Sequence, residues 1–269
     1  MKRPAPILPS AITDALVELG LSPGATLLAH TSLSAISGPD SMVVGGALGV
    51  VSALRAALGP DGTLVVPTFS ADCSDPEEWT NPPVPRSWWD AIREEMPAWT
   101  PDGWASFRVG VVPERVRGLD GALRSEHPQT SFAAIGPRAE AILAPHPLDD
   151  PLGPSGPLGR MRALEAWVLL LGCGFSSCTA FHLAEHEATR PRPTVTRRAP
   201  LVVDGARRWV RWTEPDYDSR LFPDIGRAFR REPACRRGPV GRTEAHLFRL
   251  ADGVELATRW MNGDVAREE

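Results

Sequence analysis

The sequence predicts an α/β fold, in which helices pack against a parallel or mixed β-sheet. Two observations support this prediction. The first third of the chain alternates helical and strand patterns, and an apolar run at 167–172 ends in glycines shortly before a helical pattern that starts at 179. Ligands of α/β proteins usually bind where strands of the sheet end, so this strand, turn and helix mark a candidate site.

The first third of the chain contains two helices and two strands. The helices show apolar residues at helical spacing, with Ser10 as a possible cap of the first and Gly59-Pro60 closing the second. The strands are short apolar runs. The predicted order is a helix over 9–20, a strand over 25–30, a small polar turn over 31–38, a helix over 43–58 and a strand over 62–67.

The later elements are predicted from the same signals. Proline and glycine make the stretch 146–160 rich in turns, and Asp204-Gly205 between two strand patterns predicts a β-hairpin. The predicted order is a helix over 110–117, a loop and strand over 124–136, a helix over 137–143, a strand over 167–172, a helix from 179, hairpin strands over 200–204 and 208–212, and a helix over 252–262.

Composition limits the class of protein. The chain has 269 residues, of which 42% are hydrophobic, so we predict one domain over 1–269 with an insertion at about 70–104. A net charge of -4 argues against nucleic-acid binding, and no apolar run approaches the roughly 18 residues that span a bilayer. Few cysteines and no signal-peptide pattern predict a cytoplasmic protein, which we expect to be a monomer or a homodimer.

The segment 70–104 is rich in proline and holds five of the nine tryptophans and eight acidic residues. One interpretation is a wall that binds a cationic ligand through charge and cation–π contacts. The other is a solvated loop with a small core of its own. Residues 214–218 form a second acidic loop. The acidic candidates for substrate binding are Asp72, Asp75, Glu77, Glu214 and Asp218.

His182, Glu185 and His186 have a spacing that places them near one face of a helix. His182 could be a general base whose tautomer a carboxylate fixes. The same residues match the HxxEH pattern of zinc hydrolases, although that interpretation needs a third ligand from elsewhere. A surface helix with a salt bridge is the third possibility, and the pattern alone leaves all three open.

Three further positions are candidates for chemistry. His127 lies in a proline-stiffened loop, where it could contact substrate or cofactor, or could simply bond the backbone. The turn at 30–32 could hold a phosphate through amides and hydroxyls. Cys178 lies near a helix start, where a thiol could be a nucleophile or a small buried residue.

Taken together, the order and spacing of several motifs resemble those of the aminoglycoside 3-N-acetyltransferase family over nearly the whole chain. Individually each motif is weak, but together they are specific. They are His30-Thr-Ser-Leu-Ser, Gly59-Pro-Asp-Gly-Thr-Leu-Val-Val-Pro-Thr68, Asp75-Pro-Glu-Glu-Trp79-Thr-Asn-Pro-Pro-Val-Pro, Arg124-Ser-Glu-His127-Pro-Gln-Thr-Ser131-Phe132, His146-Pro-Leu-Asp149, Ser155-Gly-Pro-Leu-Gly-Arg160, Leu169-Leu-Leu-Gly172 and Thr179-Ala-Phe-His182-Leu-Ala-Glu185.

The resemblance implies a three-layer α/β/α sandwich with a mixed sheet, unrelated to the GNAT acetyltransferases. It implies transfer of an acetyl group from acetyl-CoA, without a metal, to the 3-amino group of an aminoglycoside, and hence antibiotic resistance. His182 corresponds to the family's general base, with Glu185 as its partner. By the same resemblance, the coenzyme A site would be lined by His30, Thr31, Ser32, Leu33 and Ser131.

The substrate implied by the resemblance is a polycation, which the acidic loops and His127 would contact. Two alternatives differ in class: a zinc-dependent hydrolase built on His182, Glu185 and His186, and a non-catalytic binder of cationic sugars. The chain departs from the family pattern at Phe175-Ser-Ser-Cys178, where polar residues such as Asp and Asn are expected, and at Val109-Gly110, where Met-Gly is common. These departures concern the choice of antibiotic more than the reaction.

Overall fold

The computed structural model describes residues 5–190 and 192–265 and confirms the α/β class. It contains a seven-stranded mixed sheet and a two-stranded hairpin. The strands are β1 (Thr26–Thr31), β2 (Thr63–Pro67), β3 (Leu123–Arg124), β4 (Phe132–Ile135), β5 (Trp167–Leu171), β6 (Thr194–Val203), β7 (Ala206–Pro215), β8 (Arg236–Val240) and β9 (Thr243–Arg249). The α-helices are α1 (Pro9–Glu18), α2 (Leu33–Ser37), α3 (Gly46–Leu58), α4 (Trp89–Glu95), α5 (Val111–Arg117), α6 (Ala139–Leu143), α7 (Pro157–Ala163), α8 (Phe181–Glu187), α9 (Phe222–Phe229) and α10 (Leu250–Asn262).

The seven strands lie in the order β3-β4-β2-β1-β5-β9-β8. The central strand β1 runs parallel to both β2 and β5, whereas the other neighbouring strands are antiparallel. Every residue of β1, β2 and β5 is buried, which explains why these strands are continuous apolar runs rather than alternating patterns. Because β1, β2 and β5 are parallel, their carboxyl ends meet at one edge of the sheet.

Alternate residues of the central strands belong to two different hydrophobic clusters. Leu28 and Val168 pack with residues of α6 to α10, and Leu27 and Leu169 pack with residues of α1, α2, α3 and α5. Successive side chains of a strand point to opposite faces, so the core lies on both sides of the sheet.

The segment 70–104 packs against the hairpin formed by β6 and β7. Trp99 and Trp212 share a small hydrophobic cluster with Cys73 and Ala199. The backbone N–H of Trp99 donates to the carbonyl of Pro200 at 2.7 Å, and the indole of Trp209 donates to the carbonyl of Arg93 at 2.9 Å. The segment and the hairpin therefore share a small core. The segment also contains α4, although it was predicted as loop.

The structure corrects one prediction made from proline and adds a helix for which the sequence analysis made none. Helix α7 lies partly in the stretch predicted to be turns, and α9 was not predicted at all. Both helices have proline in their first turn, at Pro157 and Pro223, where the missing N–H has no helical partner to lose. Helix α3 also begins three residues later than predicted, because Gly45 and Gly46 adopt positive φ angles of 77° and 54°.

Candidate active site

His182 and Glu185 form a hydrogen-bonded pair on α8, as their spacing predicts. Nδ1 of His182 lies 2.7 Å from Oε2 of Glu185. The buried carboxylate also accepts the backbone N–H of Asp218 on Oε1 at 3.1 Å, and Arg192 pairs with Oε2. A carboxylate can only accept, so Nδ1 carries the proton of this pair. The second ring nitrogen, Nε2, has no hydrogen-bond partner among the described residues and is free to act as a base.

The turn after β5 fixes where α8 begins. Gly172 has a φ of 74°, and a Cβ atom at this position would lie 2.9 Å from the carbonyl oxygen of Ser32. Only glycine fits this turn without strain. Phe181, at the start of α8, is fully buried and stacks on Phe175 with 5.9 Å between ring centroids. This packing holds the next residue, His182, at the carboxyl edge of the sheet.

A cavity of about 260 Å³, which we name the histidine cavity, lies beside the His182 ring. It is bounded by the end of β1 on one side and by the turn after β5 on the other. Its lining residues are His30, Thr31, Pro67, Phe69, Arg108, Val109, Pro113, Cys173, Ser176, Ser177, Thr179, His182, Ser219 and Phe222.

His30 lines this cavity as a neutral imidazole. Burial and the nearby His182 lower the pKa of His30 to about 3. Its Nε2 atom is buried and has no hydrogen-bond partner among the residues described. His30 can therefore offer a hydrogen bond to a ligand in the cavity but cannot serve as the proton acceptor near neutral pH.

A second and larger cavity of about 540 Å³, which we name the aromatic cavity, adjoins the first. Phe69 and Arg108 line both cavities. Tyr217 also lines the aromatic cavity, and its ring centroid is 5.1 Å from that of His182. The remaining lining residues are Ala71, Asp72, Ser74, Glu78, Trp79, Thr80, Asn81, Pro82, Val84, Phe107, Gln129, Thr130, Leu152, Arg197 and Glu214. The two cavities therefore meet at Phe69 and Arg108, and His182 lines the smaller of them.

The structure separates the five acidic residues predicted to bind substrate. Asp72 and Glu214 line the aromatic cavity, and burial raises the pKa of both. Asp75 and Glu77 line neither cavity: Asp75 is buried 2.7 Å from the guanidinium of Arg93, and Glu77 is exposed. Asp218 lines neither cavity but a third one of about 430 Å³, together with Glu185 and Tyr217, and its N–H donates to Oε1 of Glu185.

His127 and Ser131 form hydrogen bonds with the backbone of the protein itself. His127 is fully buried, and its Nδ1 accepts the backbone N–H groups of Gln129 and Thr130 at 3.1 and 3.0 Å. Ser131 is also buried and donates to the carbonyl of Thr68 at 2.8 Å. Neither lines a cavity, but the loop that they hold brings Gln129 and Thr130 into the aromatic cavity.

Ser32 and Leu33, which were also predicted to bind coenzyme A, contact other parts of the protein. Ser32 caps α2 by accepting the N–H of Ala35 at 3.4 Å, and Leu33 packs against the hydrophobic cluster of α1 and α3. Of the turn at residues 30–33, only His30 and Thr31 line the histidine cavity.

The contacts do not favour the thiol or zinc interpretations. Cys178 is fully buried, and burial raises the pKa of its thiol, which is the opposite of what a nucleophile needs. Across 5–190 and 192–265, no group of three or more His, Cys, Asp or Glu side chains could hold a metal ion. The third ligand that the HxxEH pattern requires is therefore not found there. In the same ranges, no helix is long and apolar enough to cross a membrane.

Sequence reasoning missed three residues of the site. Tyr217 stands between the aromatic cavity and His182, Arg192 pairs with Glu185, and Arg197 binds two carboxylates of the aromatic cavity. Tyr217 carried a signal, since it is the only tyrosine of the chain and directly precedes Asp218. The two arginines carried none, because their partners are set by the folding of β6 and of the chain just before it.

The fold and the site together define an α/β protein with a hydrogen-bonded His–Glu pair beside one of two adjoining cavities. The chain belongs to the aminoglycoside 3-N-acetyltransferase family, because the model of that family matches residues 28–262. The resemblance seen in the sequence motifs is thus confirmed.

Individual relatives agree with this assignment. The chain is 41% identical over 256 residues to the SPbeta prophage-derived aminoglycoside N(3')-acetyltransferase-like protein YokD of Bacillus subtilis, covering 94% of this chain and 92% of the relative. It is 38% identical over 278 residues to aminoglycoside N(3)-acetyltransferase VII of Streptomyces paromomycinus, covering 98% and 94%.

Solved structures show the same fold. The crystal structure of YokD superposes with a TM-score of 0.91 over 96% of this chain and 95% of that one, at 41% identity. Aminoglycoside acetyltransferase AAC(3)-Xa gives 0.88 over 98% and 95%, at 36% identity. Two more distant structures contain ligands: AAC-VIa with sisomicin, at 29% identity and 0.85 over 97% and 100%, and AAC-IIIb with CoASH, at 27% identity and 0.83 over 97% and 98%.

Proposed function

We propose that this protein transfers the acetyl group of acetyl-CoA to the 3-amino group of an aminoglycoside antibiotic, and so confers resistance, with His182 as the general base. The observation that carries the proposal is the His182–Glu185 pair, whose histidine lines one of two adjoining cavities. The CoASH complex of AAC-IIIb and the sisomicin complex of AAC-VIa support the two classes of ligand.

The chemistry needs a base at this site. An aminoglycoside amine is mostly protonated near neutral pH and must lose a proton before or while it attacks the thioester. We infer that Nε2 of His182 takes this proton while Nδ1–H donates to Glu185. The carboxylate fixes the tautomer and stabilises the imidazolium that forms. The C–N bond forms, and the tetrahedral intermediate expels the thiolate of coenzyme A. The nitrogen's second proton passes to the sulfur, and the proton held by His182 is released to solvent.

We infer that the thioester end of acetyl-CoA binds in the histidine cavity. His30 and Thr31 line this cavity together with His182, which supports their predicted role. The turn after Gly172 also lines it, through Cys173 and Ser176, so the amides of this turn are candidates for stabilising the oxyanion. Coenzyme binding by Ser32, Leu33 and Ser131 stays a prediction.

We infer that the aminoglycoside binds in the aromatic cavity. Asp72 and Glu214 were predicted to contact substrate, and both line this cavity. The position of Asp72, whose Oδ1 has no hydrogen-bond partner among the described residues, supports its role. Tyr217 lies between this cavity and His182, so a ring amine that packs beside Tyr217 would reach Nε2. The proposed acceptor and donor then approach the base from different sides.

We also propose that residues 1–269 form one domain and that the sheet is the middle layer of three. The two hydrophobic clusters that share alternate residues of β1 and β5 support the layers. The packing of 70–104 on the hairpin supports its description as an insertion, since the segment contributes side chains to a separate small cluster.

Thiol release from acetyl-CoA, measured as aminoglycosides are added, tests the proposed function. We expect release only when both substrates are present, with NMR of the product showing the new amide at the 3-amino group. Thiol release at the same rate without an amine would mean hydrolysis, and a product acetylated at another amine would contradict the assigned position.

A further inference from the structure

The aromatic cavity is nearly balanced in charge. Three carboxylates line it, those of Asp72, Glu78 and Glu214, and so do the two guanidinium groups of Arg108 and Arg197. One negative charge is therefore left over. This balance is unexpected for a cavity that receives a polycation.

Arg197 neutralises two of the carboxylates. Its Nη1 lies 3.1 Å from Oε2 of Glu78, and its Nε lies 3.3 Å from Oε1 of Glu214. The second oxygen of Glu214 accepts the indole N–H of Trp212 at 2.7 Å. Both oxygens of Glu214 are therefore engaged, and so is Oε2 of Glu78. A ligand ammonium would compete with Arg197 for both carboxylates.

Asp72 differs from these two residues. It forms no ion pair within the part of the chain that the structure describes, and its Oδ1 atom is buried without a hydrogen-bond partner there. The attraction of Arg124 reaches Asp72, but the guanidinium of Arg124 donates to the carbonyls of Thr68 and Pro101 at 2.7 and 2.9 Å. Among the described carboxylates of the cavity, Asp72 is therefore the one that no guanidinium pairs with, and its Oδ1 has an unused acceptor.

The rest of the lining is largely apolar. Trp79, Val84, Phe107 and Leu152 contribute to it. A ligand that enters gains from burying an apolar ring face against these side chains, whereas each additional ammonium loses water without finding a free carboxylate. Ammonium groups near Arg108 or Arg197 would also meet like charge.

We propose that the aromatic cavity favours acceptors with few ammonium groups besides the reacting amine, that Asp72 binds one of these groups, and that Arg197 disfavours more highly charged acceptors. This inference rests on the proposed function and narrows its substrate class. The preferred substrates are aminoglycosides or related aminocyclitols with few amino groups and an apolar face.

Specificity ratios test the role of Arg197. The ratio is the kcat/KM for an aminoglycoside with few amino groups divided by the kcat/KM for one with many, both followed by thiol release. We expect a ratio of at least about tenfold in the native enzyme, and a fall of about tenfold in Arg197→Gln, because Glu78 and Glu214 become available to ammonium groups. The ratio is taken on one preparation, so it does not depend on the fraction of folded variant.

Asp72→Asn tests the anchor, with Asp90→Asn as its matched control. Asp90 belongs to the same segment but is exposed and does not line the cavity. Loss of a charged hydrogen bond predicts a fall of about 10- to 100-fold in kcat/KM for the preferred acceptor in Asp72→Asn, mainly through KM, and no change in Asp90→Asn.

These experiments distinguish a failure of the charge selection, a failure of the Asp72 anchor and a failure of the proposed function. If thiol is released but the ratio is the same in the native enzyme and in Arg197→Gln, the charge selection is refuted while acetyl transfer stands. Equal kcat/KM for Asp72→Asn and Asp90→Asn would refute the anchor. If no amine of either type releases thiol, the proposed function fails and this inference fails with it.

Discussion

Glu185→Gln removes a negative charge from the site but leaves the shape of the side chain nearly unchanged. In the native protein the carboxylate accepts from His182 and from the N–H of Asp218, and it pairs with Arg192. A neutral amide cannot satisfy all three. If its oxygen faces His182, its NH₂ group faces the N–H of Asp218, and if it is turned round, its NH₂ group faces Nδ1 of His182 and Arg192. Either orientation weakens the hold on the His182 tautomer.

The expected magnitude follows from these contacts. A hydrogen bond to a charged, buried partner contributes about 1.5–3 kcal/mol, and the imidazolium formed in the reaction also loses its counter-charge. Arg192 offsets part of that counter-charge in the native protein. We therefore expect about 2–3 kcal/mol of lost transition-state stabilisation, which lowers kcat/KM by about 30- to 150-fold. The KM for acetyl-CoA should stay unchanged, since Glu185 does not line the histidine cavity.

Steady-state thiol release checks this prediction, with Glu187→Gln as the control. Glu187 lies on the same helix but is exposed and pairs with Arg162, away from His182. The control should match the native enzyme. A folded Glu185→Gln variant with kcat/KM within about threefold of native would refute the orienting role of the carboxylate.

Two further predictions concern the framework of the site. Gly172→Ala should lower the free energy of unfolding by about 1–3 kcal/mol, measured in urea. The backbone at residue 172 has a positive φ, and the added Cβ would lie 2.9 Å from the carbonyl oxygen of Ser32. Unchanged stability would show that the turn relaxes freely. Burial lowers the pKa of His146 to about 4, and burial with His182 lowers that of His30 to about 3, below their ordinary value in the unfolded chain. Below about pH 6.5 the unfolded state therefore binds more protons than the folded state. The free energy of unfolding should fall by about 2–4 kcal/mol between pH 7 and pH 5. Equal values at the two pH values would contradict the neutral buried state of these histidines.

The sequence predicted the parts of the molecule that local patterns determine. Strands β1, β2 and β5 were predictable because each is a fully buried apolar run. The contact of His182 with Glu185 was predictable because residues three apart on a helix are neighbours. Helices α7 and α9 were not predictable in the same way, since a proline signals a turn and a first helical turn equally well.

Long-range contacts decided what the sequence could not. Asp75 looked available for a cationic substrate, but the fold brings Arg198 to within 3.4 Å of its carboxylate from more than a hundred residues away in the chain. Glu78 and Glu214 meet on Arg197 for the same reason. Counting acidic residues overestimated the negative charge available to a ligand, because pairing depends on the tertiary fold.

The central claim is that His182 is the base for acetyl transfer, and His182→Ala tests it most directly. Acetyl-CoA binding is measured by calorimetry and turnover by thiol release on the same preparation. We expect the variant to keep native acetyl-CoA affinity within about threefold and to lose turnover by about 100- to 10,000-fold, because general base catalysis supplies a factor of that size. A folded variant that binds acetyl-CoA and keeps turnover within about tenfold of the native enzyme would contradict it.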